Sequence, residues 1–271
     1  MRAMLLAAGL GLAIAGADAE EVGPYPAWEG QWSRVGSGQY DPNAASGIGQ
    51  KPPLIPEYQA IFEAATADRK DGGLAYNATA GCLPAGMPRA MIVYESMEII
   101  VTPAVTYIKL LYMNELRRIH TDGRRWPATL TPSFIGTSIG EWEKGPDGRY
   151  QALLIETRGF KGPRTFDAEG IALHADNQTV VKERIFLDAA NPDRLHDEVT
   201  VLDHALTRPW TVMRTYKRET QPSYADFYCS QNNHEVTLGR ETYFIGEDGL
   251  LMPTRKNQPL PDLSAFGGRA P

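Results

Sequence analysis

From residue 91 onward, short runs rich in Val, Ile, Thr, Tyr and Phe alternate with turn signals. "MEIIVT" stops at Pro103, "VTYIKLLYM" turns at Asn114 and Glu115 into "LRRIHT", and Asp122 with Gly123 breaks that run. "FIGTSIGEWE" leads through the turn "KGPDGR" into "YQALLIETRGF", and "GIALHADNQTVVKERIFLD", "RLHDEVTVLD", "PWTVMRTYKRE" and "ETYFIGEDG" follow. Strands joined by short turns predict an antiparallel meander whose side chains alternate between a core and water. In "TVVKERIFL", Val181, Glu183, Ile185 and Leu187 share one face, and Val180, Lys182, Arg184 and Phe186 share the other. A meander this long has to close or stack, because open edges pair with other chains. The pattern therefore predicts a mainly β fold, an antiparallel lipocalin-like β-barrel over residues 91–250, with a β-sandwich as the competing arrangement.

Ahead of the strands the pattern changes. Residues 20–55 are rich in Gly, Pro, Ser and Asn and show neither helical nor strand periodicity; Trp28 and Trp32 are expected to dock this arm onto the body. In "PPLIPEYQAIFEAATADRKDGG", Pro56 suits a helix start, Tyr58, Ile61, Phe62 and Ala65 recur at helical spacing, and Gly72 with Gly73 ends the element. Residues 20–90 are thus an arm with one short helix, and residues 251–271 a C-terminal tail. The first nineteen residues read as a signal peptide. Arg2 precedes an apolar stretch from Met4 to Gly16, and Ala17-Asp18-Ala19 offers a small-x-small cut. That stretch is short for a membrane span and no second one follows, so an exported, soluble, periplasmic protein is expected.

Composition adds three constraints. Hydrophobic residues at 42% suffice for a sizeable core, and a net charge of −6 argues against nucleic acid or an anionic membrane as partner. Cys82 and Cys229 are a disulfide pair in an oxidising compartment, or else two separate buried thiols. Self-association is left open.

Ionisable residues gather at strand ends. "RRIHTDGRRWP" packs four arginines, His120 and Asp122 into residues 117–127. Strand alternation puts Leu116, Arg118 and His120 on one face; if that face looks inward, Arg118 and His120 enter the barrel. Asp122 then lies near His120 and Arg124, where it either orients the imidazole or knits a turn. In "YQALLIETRGF", Glu156 and Arg158 share a face as an ion pair. Glu183, on an otherwise apolar face, needs a partner: it is either half of a buried Glu–Arg pair or a general acid or base. The five histidines show no HExxH or HxH spacing, so neither a metal nor another cofactor is expected. The serine of "GTSIG" is set aside as a nucleophile elbow, and no Walker or dinucleotide loop is present.

Taken in order, "CLPAGMPRAM", "RRIHTDGRRWP", "GTSIGEWE", "IETRGF", "VVKERI", "RPWTV" and "YCSQNN" resemble a family of mostly uncharacterised exported bacterial proteins, over about residues 52–233. The resemblance implies the barrel and the export. Where that family carries an aromatic and a histidine, this chain has His120 and Trp126. At the level of fold alone, the expected barrel is also similar to phenolic acid decarboxylases, which work without a cofactor. That likeness implies Arg118, Arg124 or Arg158 for a substrate carboxylate, His120, Asp122, Glu143 or Glu183 for proton transfer, and Tyr107, Tyr112 and Trp142 as an aromatic wall.

Three functional readings follow. The first is a cofactor-independent lyase of decarboxylase type, acting on a small aromatic or apolar carboxylic acid in the barrel cavity. The second is a periplasmic binding protein for an apolar small molecule, which needs the cavity but no proton-transfer pair. The third is a structural module with a filled barrel. They part on one point: whether the ionisable groups converge on an open hollow.

Overall fold

Met97 and Ile99 alternate with Glu98 and Ile100, and Ile108 and Leu110 with Tyr107 and Lys109; the first set of each is buried and the second is half-buried or exposed. Repeated strand after strand, this alternation curls the chain into a closed barrel. The structure is a computed structural model that describes residues 24–36, 51–167, 170–224, 235–246 and 249–262. The barrel strands are β1 (Gly30–Arg34), β2 (Ser96–Val101), β3 (Val105–Leu110), β4 (Glu115–His120), β5 (Thr137–Lys144), β6 (Tyr150–Arg158), β7 (Val180–Leu187), β8 (Arg194–Leu202) and β9 (Trp210–Arg218). Each pairs with the next, and β9 returns to β1. All pairings are antiparallel except β4 with β5, where Ile119 opposes Ser138 and His120 opposes Ile139. Residues 121–136 make that parallel step by carrying the chain back to the barrel end it had just left.

The register fixes which side chains point inward. Across β3 and β4, Thr106 faces Ile119, Ile108 faces Arg117 and Leu110 faces Glu115. Arg117 and Ile119 are fully buried, whereas Leu116 is 36% exposed. The inward face of β4 is therefore the opposite of the expected one, and Arg118 and His120 point outward. A strand has a period of two, so one wrong choice of face turns over every side chain. Arg117 can turn inward because it meets the Glu183 carboxylate there.

The lumen is filled. Residues 85–93 are buried along their whole length, with Met87 and Met91 at 0% exposure. Their main chain bonds to inward side chains of the wall. Arg214 donates to the Pro88 carbonyl at 2.7 Å, the Tyr216 hydroxyl to that of Met91 at 2.5 Å, and the Gly86 N–H to Glu115 at 3.3 Å. These bonds satisfy polar groups that burial would otherwise strand. Phe160, Phe166, Ile171 and Leu173, from the β6–β7 connection, join the same core. At the other end Tyr25, Trp28, Trp142 and Tyr150 stack on one another at 5.0–5.6 Å between ring centroids.

Two boundaries move. The arm expected to lack strand character supplies β1, which closes the barrel; Trp32 faces Met97 on one side and Arg218 on the other. At the other end of the chain, β10 (Glu235–Leu238), β11 (Glu241–Ile245) and β12 (Leu251–Pro253) form a separate three-stranded sheet. Residues 235–246 thus lie outside the barrel, and the tail contributes a strand.

Helix α1 (Pro56–Lys70) forms where expected, with Glu57 in its first turn and Arg69 and Lys70 in its last, as the helix dipole favours. It packs Tyr58 against Ala172 and Ala205. Among the described residues no helix is long and apolar enough to cross a membrane. The expected signal peptide lies outside the described residues, as does Cys229. Cys82 lies within them, so its expected pairing with Cys229 falls outside what they describe.

Candidate functional site

Four buried charged side chains of the wall, Arg117 on β4, Glu183 on β7, Asp197 on β8 and Arg214 on β9, point into the lumen. Arg117 forks onto Glu183, with Nη1 donating to Oε1 at 2.8 Å and Nη2 to Oε2. Its remaining donors reach Thr157 at 2.9 Å and Ser138 at 3.4 Å. Such a bidentate pair, with its other groups also bonded, is the arrangement that offsets the cost of burying charge. Burial opposes the charged arginine, and the Glu183 carboxylate outweighs it, so Arg117 is held above its ordinary range. Ser138 is the central residue of a Gly-x-Ser-x-Gly run, Gly136 to Gly140. A nucleophile elbow is a strand-to-helix turn that exposes its serine. Ser138 instead lies within β5, 1% exposed, bonded to Thr157 and Arg117, which makes it part of the network.

Asp197 stands apart. It is fully buried, and neither oxygen accepts a conventional hydrogen bond. Burial, and then the charge of Glu183, push its carboxyl well above the usual range. Protonation removes the charge that burial and the neighbouring Glu183 penalise. In the unfolded chain this proton leaves near pH 3.9 (roughly, for a free aspartate). The folded chain keeps it to higher pH, so the native state binds the extra proton and loses stability as pH rises through that window. Asp197→Asn keeps the shape and a donor without the titration. Its melting temperature should exceed that of the parent by a margin that grows between pH 5 and pH 9, read by thermal melts. A margin constant across that range would show that Asp197 does not hold the proton.

The residues singled out in the sequence do not meet in one hollow. Glu183 is inside and sealed. Glu143 lies on the outer face, held by Arg184 at 2.8 Å and Gln151 at 3.0 Å, contacts that lower its carboxyl below the ordinary range. Asp122 does not orient His120. It is gripped by Arg124 through three contacts of 2.7–3.1 Å, which pull its carboxyl down to about 2. His120 is half-buried on the outer face with Nδ1 unpartnered, and burial, then Arg124, hold it below the ordinary histidine range. Arg158 pairs with Glu156 and covers the Trp126 ring at 4.8 Å. Tyr107 is half-buried on the outer side of β3, and the Tyr112 ring lies 5.2 Å from Tyr94 in a turn. Trp142 packs on Trp28 as structure.

What the surface offers instead is a groove of about 930 Å³ on the outside of β5, β6 and β7. Ile139, Leu154 and Lys182 pave it, and Arg124 and Trp126, from the 121–126 segment, form one rim. Trp142, Lys144 and Tyr150 lie at its other end. The charged run that ends β4 thus serves as the lip of an outer groove. Glu183 contributes only main chain there, since its side chain has no exposed surface. Leu154, 38% exposed, and Trp126 give the groove apolar area; Arg124, paired with Asp122, and Lys182, 3.6 Å from Glu156, give it cations, and Glu141 and Glu156 line it as well. Sequence reasoning passed over Trp126, Ile139, Leu154 and Lys182 because it looked for the site on the inward face. No protein-family model matches the chain, and no curated protein matches it.

Proposed function

We propose that this protein binds a small aromatic or otherwise apolar carboxylic acid on the outer groove, as a periplasmic binding protein and not as a lyase. The observation that carries this reading is the meeting, in one groove, of Trp126 and Leu154 with Arg124 and Lys182. A ring laid on Trp126 and Leu154 buries apolar area, and its carboxylate takes charge-assisted hydrogen bonds from the cations. The acids the sequence proposed for proton transfer do not face the groove freely. The Glu183 and Asp197 carboxyls are sealed, and Glu143 and Asp122 are held by arginines. The signal peptide expected at the start and the motif resemblance to exported bacterial proteins support a periplasmic carrier.

The probe is 4-hydroxycinnamate, titrated into the protein and followed by tryptophan fluorescence and calorimetry. Trp126→Ala and Lys182→Ala are each expected to weaken binding by roughly tenfold, the size of one stacking or charge contact. The probe should be recovered chemically unaltered. Affinity unchanged in both variants would remove the groove as the site, and release of carbon dioxide would restore the lyase reading.

A further inference from the structure

Two loops at one end of the barrel bring together side chains that the groove does not use. The β6–β7 connection carries His174 and Asp176, and the β8–β9 connection carries His204. One ring nitrogen from each imidazole and one carboxylate oxygen lie within 4.8 Å of one another. Asp176 Oδ2 sits between the two Nδ1 atoms, 3.3 Å from His174 and in close contact with His204. We infer that His174, Asp176 and His204 form a binding site for a divalent transition metal, with two imidazoles and one carboxylate as ligands.

The geometry suits the chemistry. Zinc bonds of about 2.0–2.1 Å in a tetrahedron put neighbouring ligand atoms roughly 3.3 Å apart. The His174–Asp176 separation already has that value, and the exposed His204 ring has to draw back from Asp176 to reach it. Imidazole nitrogen with carboxylate oxygen is a donor set for zinc and its neighbours in the first transition row, not for calcium or magnesium.

The frame around the three ligands is built from further hydrogen bonds, as metal sites need. Asp176 Oδ1 accepts the Gln178 N–H at 3.0 Å, which leaves Oδ2 turned to the imidazoles. Asp203 clamps the two loops together, accepting the His174 N–H at 2.9 Å and the Ala205 N–H at 2.8 Å. Arg164, 3% exposed, donates to the His174 carbonyl and, at 2.9 Å, to Thr179. The Tyr58 ring of α1 packs on the His174 ring at 5.6 Å. Among the described residues the Asp176 N–H, at 3.2 Å, is the donor to His174 Nδ1, and this long contact is one a metal can replace. The His204 side chain is 64% exposed, so the remaining coordination positions open to water.

Zinc chloride titrated into the full mature chain by calorimetry, with cobalt substitution read in the visible spectrum, tests the site. The expected result is one ion per chain, a rise in melting temperature on adding zinc, and ligand-field bands with cobalt. His204→Ala and Asp176→Asn should each weaken uptake by roughly tenfold or more while leaving the metal-free melting temperature close to that of the parent. His204 is exposed enough for the first variant to fold, and the second preserves the side-chain shape. Absence of uptake by the parent chain would overturn the site, and so would uptake equally tight in both variants.

Discussion

Arg117→Met is expected to lower stability by about 3–5 kcal/mol, because it strands a buried carboxylate that the parent chain pairs on two oxygens. The cost has three parts. Glu183 is left without its fork, Thr157 and Ser138 lose a donor, and Asp197 faces a carboxyl neighbour with one compensating charge fewer. In a chain of this size that amounts to a melting temperature lower by roughly 10 °C. Removing both partners tells a different story. Arg117→Met combined with Glu183→Leu replaces the buried pair with hydrocarbon of similar volume, and stability should return most of the way toward the parent. Chemical denaturation of the parent, the single and the double variant reads both effects. A double variant no more stable than Arg117→Met would show that the loss comes from packing and not from stranded charge.

Trp32→Ala should cost a comparable amount, about 3–5 kcal/mol. Trp32 is fully buried on β1, its indole N–H donates to the Trp28 carbonyl at 2.8 Å, and the Arg218 guanidinium lies 4.3 Å from its ring centroid. Truncation leaves a cavity where the first and last strands of the barrel meet. Arg218→Met serves as the control. It removes the cation over the ring but keeps the seam filled, so its loss should stay within about 0.5–2 kcal/mol. If Trp32→Ala melted with the parent, residues 30–34 would be a docked arm and not the strand that closes the barrel.

These two sites also mark where the sequence could and could not be read. The strands from β2 to β9 were legible because each alternates apolar with polar over several residues, and α1 because its apolar spacing begins at a proline. β1 was not: "GQWSR" carries a single large apolar residue, and it is buried on both faces because the 218–223 segment covers Gln31. Local alternation states that a strand has two faces, but not which one looks inward. For β4 that choice depends on Glu183, 66 residues away, which no window on the chain can see. Glu183 itself was readable, since a carboxylate on an apolar face demands a partner. The same argument applies to Asp197 among Leu195, Val199 and Val201, and to Arg214 among Trp210, Val212 and Tyr216. Applied to all three strands, it would have indicated a charged network inside the barrel. The histidine cluster was out of reach for another reason: Asp176 and His204 are 28 residues apart and meet only because β7 and β8 pair.

A lumen filled by the chain's own residues 85–93 underlies both the sealed charges and the outer groove. The most direct test is methyl NMR with selectively labelled methionines and the small nitroxide 4-hydroxy-TEMPO, which is similar in size to an aromatic acid. Met87 and Met91 are fully buried, and Met252, 49% exposed, is the internal reference. The nitroxide should broaden the Met252 methyl and leave Met87 and Met91 sharp. Broadening of Met87 or Met91 to the same degree as Met252 would mean an open barrel, and the ligand would then belong inside it.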